Sequence, residues 1–128
     1  MSEKNSTVIR GKTAEAIAAQ YLKNKHFQVL RQNVYTPYGE IDIIAKQGRE
    51  YVCVEVRSRS SQRQLPPETT LSARKYQRII RSILHIPWLE NKSVRIDFIT
   101  VLNDAVQHHY RDLRWDSLRP GRKLQYSF

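Results

Sequence analysis

The sequence is poor in cysteine and glycine and contains no long apolar run. Its single cysteine, Cys53, rules out an internal disulfide and a zinc site made of cysteine pairs, so a reducing compartment is expected. No segment approaches the roughly 18 apolar residues of a transmembrane helix, and the first residues lack the apolar core of a signal peptide. We therefore expect a cytoplasmic protein with no membrane partner and a flexible N-terminus over residues 1–10.

Acidic residues are scarce as well. The chain has 12 Asp and Glu against 22 Lys and Arg, a net charge of +10, while 40% of its 128 residues are hydrophobic. This composition predicts one folded basic domain, which we assign to residues 11–110 with a basic and aromatic extension over residues 111–128. The charge favours a polyanionic partner, most commonly a nucleic acid, although a solvated basic surface is the simpler alternative.

Residues 39–57 are typical of a β-hairpin. A two-residue turn at Gly48 and Arg49 fits, because Gly at the first central position supplies the positive φ of a type II′ turn. That turn pairs Gln47 with Glu50 and fixes the register of the hairpin. One face then consists only of apolar side chains, and a one-residue slip would expose them all; they are Ile41, Ile43, Ala45, Val52, Val54 and Val56.

On the other face, this register opposes Asp42 to Glu55 and Glu40 to Arg57. Like charges on side chains about 5 Å apart repel by roughly 3 kcal/mol at an effective dielectric constant of about 20. A divalent cation between the acids, a raised pKa of one acid, or a nearby Lys or Arg would offset this repulsion. An exposed face of mixed charges is the alternative, and the spacing alone leaves these interpretations open.

The rest of the chain alternates helical and extended patterns. Apolar residues at helical spacing predict an amphipathic helix over residues 13–25, with Glu15 at the border of its buried stripe. Residues 58–67 are predicted to form a loop, and a second helix is predicted over residues 72–89, ended or kinked by Pro87. These elements give an α/β fold of order αβββαβ with a candidate extra edge strand. Outside the hairpin the predicted strands are residues 27–35, 94–101 and 106–110, the second of them parallel to the strand that carries Glu55.

Basic residues concentrate in and before the second helix. Between residues 57 and 81, seven Lys and Arg stand against one acid, Glu68. Phosphate contacts from a helix beside a loop give affinity without base specificity, so we expect nucleic-acid binding here, with a solvated helix face as the alternative. The predicted nucleic-acid-binding residues are Arg59, Arg63, Arg74, Lys75, Arg78 and Arg81, and the predicted inner stripe of the helix is Tyr76, Ile79, Ile80, Ile83 and Leu84.

Three further features have mainly structural interpretations. Asp97 lies within a predicted buried strand, and we expect a polar partner such as Arg95 to satisfy it. His108 and His109 point to opposite faces of a strand and are expected at the surface. The aromatic and basic residues after Arg111 fit either stacking on single-stranded or branched nucleic acid or packing on the core or on a second copy of the chain.

The hairpin motifs, taken together with the helices around them, resemble a known family. Gly39-Glu-Ile-Asp42 is followed thirteen residues later by Glu55-Val-Arg57. With Gly11, Glu15, Ala18 and Lys75 on the flanking helices, this combination resembles the YraN-like uncharacterised family, over roughly residues 10 to 103. That family in turn resembles the Holliday-junction-resolvase branch of the PD-(D/E)XK nucleases, which implies a restriction-endonuclease-like mixed sheet.

The resemblance also implies a site. Asp42 and Glu55 would hold Mg²⁺ or Mn²⁺ with the Val56 carbonyl as third ligand, and Glu15 matches the helical acid of the resolvase branch. Arg57 stands where the active nucleases have Lys; its guanidinium keeps its charge at any working pH, so it would stabilise charge at the phosphate and not take up a proton. The implied catalytic residues are therefore Asp42, Glu55, Arg57 and Glu15.

The function implied is a metal-dependent endonuclease acting on DNA, with branched DNA among the candidate substrates. One alternative is a catalytically degenerate nucleic-acid-binding module of the same fold, which Arg57 favours. Another is a small RNA-associated or assembly factor. Whether two copies form a homodimer is left open by the sequence.

Overall fold

The computed structural model of the protein describes residues 3–59 and 71–114, with side chains from residue 13 onward. These residues form a mixed α/β fold in which helices cover both faces of a five-stranded sheet. None of the helices in the described part is long and apolar enough to cross a membrane. In chain order the elements are α1 (Glu3–Asn24), β1 (Gln28–Thr36), β2 (Gly39–Gln47), β3 (Glu50–Arg59), α2 (Ala73–Leu84), a 3₁₀ turn (Pro87–Leu89), β4 (Val94–Leu102) and β5 (Ala105–Tyr110).

The predicted order of elements is confirmed, including the edge strand β5. The strands lie side by side in chain order; β3 and β4 are parallel, as predicted, and every other neighbouring pair is antiparallel. Helix α1 begins at Glu3, ten residues before the start that the apolar pattern predicts. The division into a domain over 11–110 and an extension from 111 stays a prediction, and residues 115–128 lie outside the described part.

The hairpin register is confirmed from the turn to the middle of the strands. Gln47 pairs with Glu50, Ala45 with Val52 and Ile43 with Val54. Gly48 has a φ of 59°, the positive value that the predicted turn requires at this position.

Below Ile43 the strands separate, which contradicts the predicted pairing of Ile41 with Val56, Asp42 with Glu55 and Glu40 with Arg57. The β2–β3 ladder ends at Ile43 and Val54, and the Asp42 carboxylate accepts the next amide proton, that of Val56, at 2.8 Å. Ile41 is therefore not on the predicted apolar face. It packs instead with Ile44 and Cys53, while the other five predicted residues pack against α1.

Helix α2 is shorter than predicted. It starts after Ser72, whose hydroxyl accepts from the Lys75 amide at 3.2 Å, and it ends at Leu84, before Pro87. Leu84, predicted in the inner stripe, is 77% exposed, while Ser82 is buried. The Ser82 and Thr36 hydroxyls are hydrogen-bonded at 2.9 Å, so this face of α2 is held to β1 by a polar contact in place of an apolar one.

Asp97 has the predicted polar partner, Arg95, whereas the predicted surface position of His109 is wrong. Asp97 is fully buried and accepts from Arg95 Nε at 3.0 Å. His109 is also fully buried, 2.8 Å from Asp97 Oδ2 through Nε2 and 3.0 Å from the Tyr21 hydroxyl through Nδ1. The sequence gives no sign of this contact because Tyr21 lies 88 residues away on α1.

Candidate metal and phosphate site

A depression of about 450 Å³ opens where β2 begins and β3 approaches its end, between α1 and α2. It lies beyond Ile43 and Val54, where the pairing between β2 and β3 ends and the two strands leave room between them. Both acidic and basic side chains line the depression. The lining is Glu15, Gly39, Glu40, Asp42, Glu55, Val56, Arg57, Ser58, Lys75, Arg78, Ile79 and Ser82.

Three carboxylates converge in this depression. Glu15 on α1 and Glu40 and Asp42 on β2 each have an oxygen within 4.8 Å of an oxygen of the other two. The side-chain amide of Asn33 on β1, with its nitrogen turned toward the acids, donates to Glu40 Oε1 at 2.5 Å and to Glu15 Oε2 at 2.7 Å. The predicted site residue Glu15 is thus brought to Asp42 by the packing of α1 on the sheet.

Asp42 and Glu55 also meet, as the sequence predicts. Their carboxyl groups share a hydrogen bond, although the backbone pair between them does not form. Burial, with the negative charge of Glu55, raises the pKa of Asp42 to about 8. Burial likewise raises the pKa of Glu55, against the opposing effect of the Arg57 charge. One of the expected means of offsetting the repulsion, a raised carboxyl pKa, is therefore present.

The pKa of Glu15 is raised for similar reasons. Burial acts first and the charge of Glu40 second, while hydrogen bonds to Asp42 and Asn33 act in the opposite direction. The acids consequently form one electrostatic unit in which negative charge is poorly solvated.

Lys75 supplies the second expected means, a nearby cation. Its Nζ lies 2.9 Å from Glu55 Oε1, and its side chain is only 20% exposed. Arg57 lies farther from the same oxygen, at 3.4 Å, and is 44% exposed. Lys75, which the sequence assigns to nucleic-acid binding, is therefore the closer and less exposed cation on Glu55, and Arg57 faces the solvent more.

Gly39 brings the basic helix close to the start of β2. Its φ is 142°, and a side chain at this position would place a Cβ 3.0 Å from Arg78 Cδ. The absence of a side chain therefore lets Arg78 lie over the strand at the edge of the depression. This close approach accounts for the glycine at the head of the Gly39-Glu-Ile-Asp42 motif.

Of the remaining predicted basic residues, those that the structure describes lie outside the lining of the depression. Arg74 and Arg81 are exposed on α2, and Arg59 lines a different depression, with Asp104 and Thr13. Arg63 lies outside the described residues. Two residues of the site were not predicted from the sequence, Glu40 as an acid of the cluster and Asn33 as its donor. Alternation with Asp42 points to Glu40, but Asn33 has a φ of 54°, which breaks the alternation on β1.

Comparison with known proteins identifies relatives of this chain. The sequence pattern of the uncharacterised protein family UPF0102 matches residues 14–101. A UPF0102 protein of Fervidobacterium nodosum is 37% identical over 108 residues, which cover 80% of each chain. Another, of Persephonella marina, is 36% identical over 78% of this chain and 89% of its own, and one of Moorella thermoacetica is 39% identical over 74% and 82%. The chain, with its converging acids and basic helix, therefore belongs to the uncharacterised protein family UPF0102, the YraN-like family that its motifs resemble.

Proposed function

We propose that this protein is a Mg²⁺- or Mn²⁺-dependent endonuclease that acts on DNA through a restriction-endonuclease-like fold. The observation that carries the proposal is one depression in which the carboxylates of Glu15, Glu40 and Asp42 converge and Glu55 is hydrogen-bonded to Asp42. Lys75, Arg57 and Arg78 line the same depression. Acids that bind a divalent cation and bases that bind phosphate are the two parts that metal-assisted hydrolysis of a phosphodiester requires. The mixed sheet with a helix on each face is compatible with this fold.

The donor groups fit a hard divalent cation. Mg²⁺ and Mn²⁺ prefer carboxylate and carbonyl oxygens, and the proposed ligands are the carboxylates of Asp42 and Glu55 and the carbonyl of Val56. The raised pKa of Asp42, to about 8, reflects negative charge that is crowded and poorly solvated, and a cation would relieve it. Glu15 would complete the acidic wall from α1.

When bound, the metal would polarise the scissile phosphate and lower the pKa of an attacking water. The chain itself supplies orientation and charge. Lys75 holds Glu55 in place from α2, and Arg57 and Arg78 lie where phosphate oxygens would approach the depression. Such fixed positive charges stabilise the charge that develops during phosphoryl transfer.

The proposal is tested by calorimetric titration of Mn²⁺ into the wild type and Glu55→Gln, together with cleavage of linear, branched and single-stranded DNA. We expect saturable heat and Mn²⁺-dependent cleavage that EDTA stops, both lost in Glu55→Gln. Glu90→Gln, at an exposed acid outside the lining of the depression, is the matched control and should behave as the wild type. Wild type that shows neither heat nor cleavage would overturn the proposal.

Lys75 should matter more for cleavage than Arg57. Because Lys75 is closer to Glu55 and less exposed, Lys75→Gln should lower the cleavage rate by about 100-fold or more, whereas Arg57→Gln and Arg57→Lys should each change it only a few-fold. Lys75→Arg, which keeps the charge but not the shape, should recover part of the rate. Rates under single-turnover conditions measure these effects.

Thermal unfolding of the same variants serves as the control for this prediction. Lys75→Gln that melts at the wild-type temperature but cleaves slowly supports a role in the site. The assignment fails if Lys75→Gln cleaves as fast as the wild type. It also fails if Arg57→Lys cleaves much faster than the wild type, since cleavage would then need a lysine at position 57 on β3.

Arg57 also favours a second candidate function, a non-catalytic nucleic-acid-binding module. A guanidinium cannot lose its proton at a working pH, so Arg57 cannot act as the proton acceptor that a lysine at this position could be. Under this alternative the wild type binds DNA in a salt-dependent manner but leaves every substrate intact with Mn²⁺. The cleavage assay described above separates the two candidates.

A further inference from the structure

Four large apolar side chains are exposed in the described part of the chain. They are Tyr35 (77% exposed), Tyr38 (40%), Leu84 (77%) and Trp88 (43%). Single exposed apolar residues are ordinary on a protein surface, but two of these four stand at the β1–β2 turn. Tyr38 directly precedes Gly39, and Tyr35 pairs across the strands with Glu40, so both adjoin residues that line the acidic depression.

Tyr38 is already part of an aromatic and cationic group. Its ring centroid lies 4.7 Å from that of His85 in an edge-to-face arrangement, and the Arg81 guanidinium lies 6.0 Å from the ring centroid. These contacts from α2 hold the ring in place while 40% of the side chain remains exposed. A ring held in this way loses little conformational entropy when a flat ligand stacks on it.

Tyr35 lies on the other side of the turn. Its neighbours face α2, since Val34 packs in the cluster that contains Ile86 and Leu89, and the Thr36 hydroxyl is hydrogen-bonded to that of Ser82. Alternation along the strand therefore turns Tyr35 toward the opposite face, on the α1 side. The two tyrosines thus lie on the two sides of the strand ends that border the depression.

Exposed cations lead from the depression to Tyr38. Arg74, Arg78 and Arg81 recur along α2 and are all exposed, and Arg78 lines the depression while Arg81 reaches Tyr38. A positively charged track beside exposed aromatic rings is the arrangement that binds single-stranded nucleic acid, in which phosphates contact the cations and bases stack on the rings. A duplex keeps its bases stacked inside and gains only the phosphate contacts.

We propose that Tyr38 stacks on unpaired bases of a DNA strand whose phosphates follow α2. The inference rests on the proposed function and specifies its substrate class, which is DNA with a single-stranded segment next to the phosphate in the depression. The sequence feature responsible is Tyr38, directly before Gly39, which the hairpin motif does not include.

The test is fluorescence anisotropy of the full chain with a labelled single strand of about 20 nucleotides and with the duplex of the same sequence, in EDTA so that binding is read without cleavage. We expect Tyr38→Ala to bind the single strand about tenfold more weakly and the duplex less than about twofold more weakly. Tyr38→Phe, which keeps the ring, is the matched control and should bind as the wild type. Melting temperatures establish that both variants are folded.

Two results would overturn the inference. One is an equal effect of Tyr38→Ala on single strand and duplex, or none on either. The other is a self-association of the wild type, seen by sedimentation, that Tyr38→Ala abolishes, since the ring would then be covered by a second copy. A third outcome separates the two proposals. If the wild type binds no Mn²⁺ and cleaves no DNA, but its binding of the single strand depends on the Tyr38 ring, the stacking is supported and only the proposed endonuclease is overturned.

Discussion

Asp42→Asn is expected to abolish Mn²⁺ binding and, without metal, to make the protein more stable at alkaline pH. The introduced amide oxygen can still accept from the Val56 amide, as Asp42 Oδ2 does at 2.8 Å, and the amide nitrogen can donate to Glu55 as a protonated Asp42 does. The variant therefore keeps the hydrogen bonds and loses only the charge. If the site serves to bind a cation, removal of this negative charge should make the metal-free protein more stable and should abolish binding of the cation.

The direction of the pH effect follows from the pKa of Asp42, which burial and Glu55 raise from 3.8 to about 8. Folding favours the protonated carboxyl, so its contribution to stability is full below pH 4 and is lost as the pH rises toward 8. At pH 9 the wild type should thus be less stable than Asp42→Asn by several kcal/mol, which corresponds to more than about 10 °C in melting temperature. At pH 4 the two proteins should unfold at nearly the same temperature.

Thermal unfolding of both proteins between pH 4 and 9, in EDTA and in Mn²⁺, measures these effects. Mn²⁺ should raise the melting temperature of the wild type at pH 8 and leave that of Asp42→Asn unchanged, because a ligand stabilises only the protein that binds it. Glu90→Gln, at an exposed acid, should follow the wild type throughout. An Asp42→Asn protein that is less stable than the wild type at pH 9 would mean that the carboxylate charge is well accommodated without metal.

The local pattern of the sequence predicts the hairpin because its turn and its register depend on residues that are close together in the chain. Gly48 specifies the turn, and the apolar residues on either side of it specify the register. The same reasoning fails beyond Ile43, where the strands separate and the Asp42 side chain replaces a ladder bond. Local alternation describes a continuous ladder, and the candidate site lies where the ladder stops.

The contacts that sequence reasoning missed join residues distant in the chain. Asn33 reaches Glu15 and Glu40 through a backbone conformation with positive φ. The buried Ser82 is hydrogen-bonded to Thr36, which lies 46 residues away in the sequence. The charge pattern predicts Lys75 as a basic residue of the helix, but its approach to Glu55 depends on how α2 crosses the sheet. Charge and periodicity identify such residues, and only the packing of the helices decides what they contact.

Asp97→Ala should cause a large loss of stability. Asp97 is fully buried and accepts hydrogen bonds from His109 Nε2 at 2.8 Å, the Asp112 amide at 2.9 Å and Arg95 Nε at 3.0 Å. Burial acts to raise the pKa of Asp97, but these donors outweigh it and the pKa is lowered. The variant would leave Arg95 and His109 without their buried acceptor, which costs about 3–5 kcal/mol.

Urea denaturation at pH 7 measures this cost, and Glu50→Gln provides a matched control. Glu50 also binds Arg95, at 2.9 Å, but its side chain is 38% exposed, so its loss should cost less than about 1 kcal/mol. Because the pKa of Asp97 is lowered, its carboxylate contributes to stability at neutral pH, and this contribution is lost as the pH falls below the ordinary Asp pKa of 3.8. Acid should therefore reduce the difference in unfolding free energy between the wild type and Asp97→Ala. Equal stability of Asp97→Ala and Glu50→Gln would contradict the assignment.

The same network bears on the candidate site, because it reaches α1. The Tyr21 hydroxyl bonds to His109, and Glu15 lies on the same helix, less than two turns before Tyr21. The pairing of Asp97 with His109 therefore holds the helix that carries an acid of the site against the far edge of the sheet. Asp97→Ala should accordingly weaken Mn²⁺ binding at temperatures where the variant is still folded, whereas Glu50→Gln should leave it unchanged. Undiminished Mn²⁺ binding in folded Asp97→Ala would mean that the apolar packing of α1 through Ala18 and Leu22 is sufficient to position Glu15.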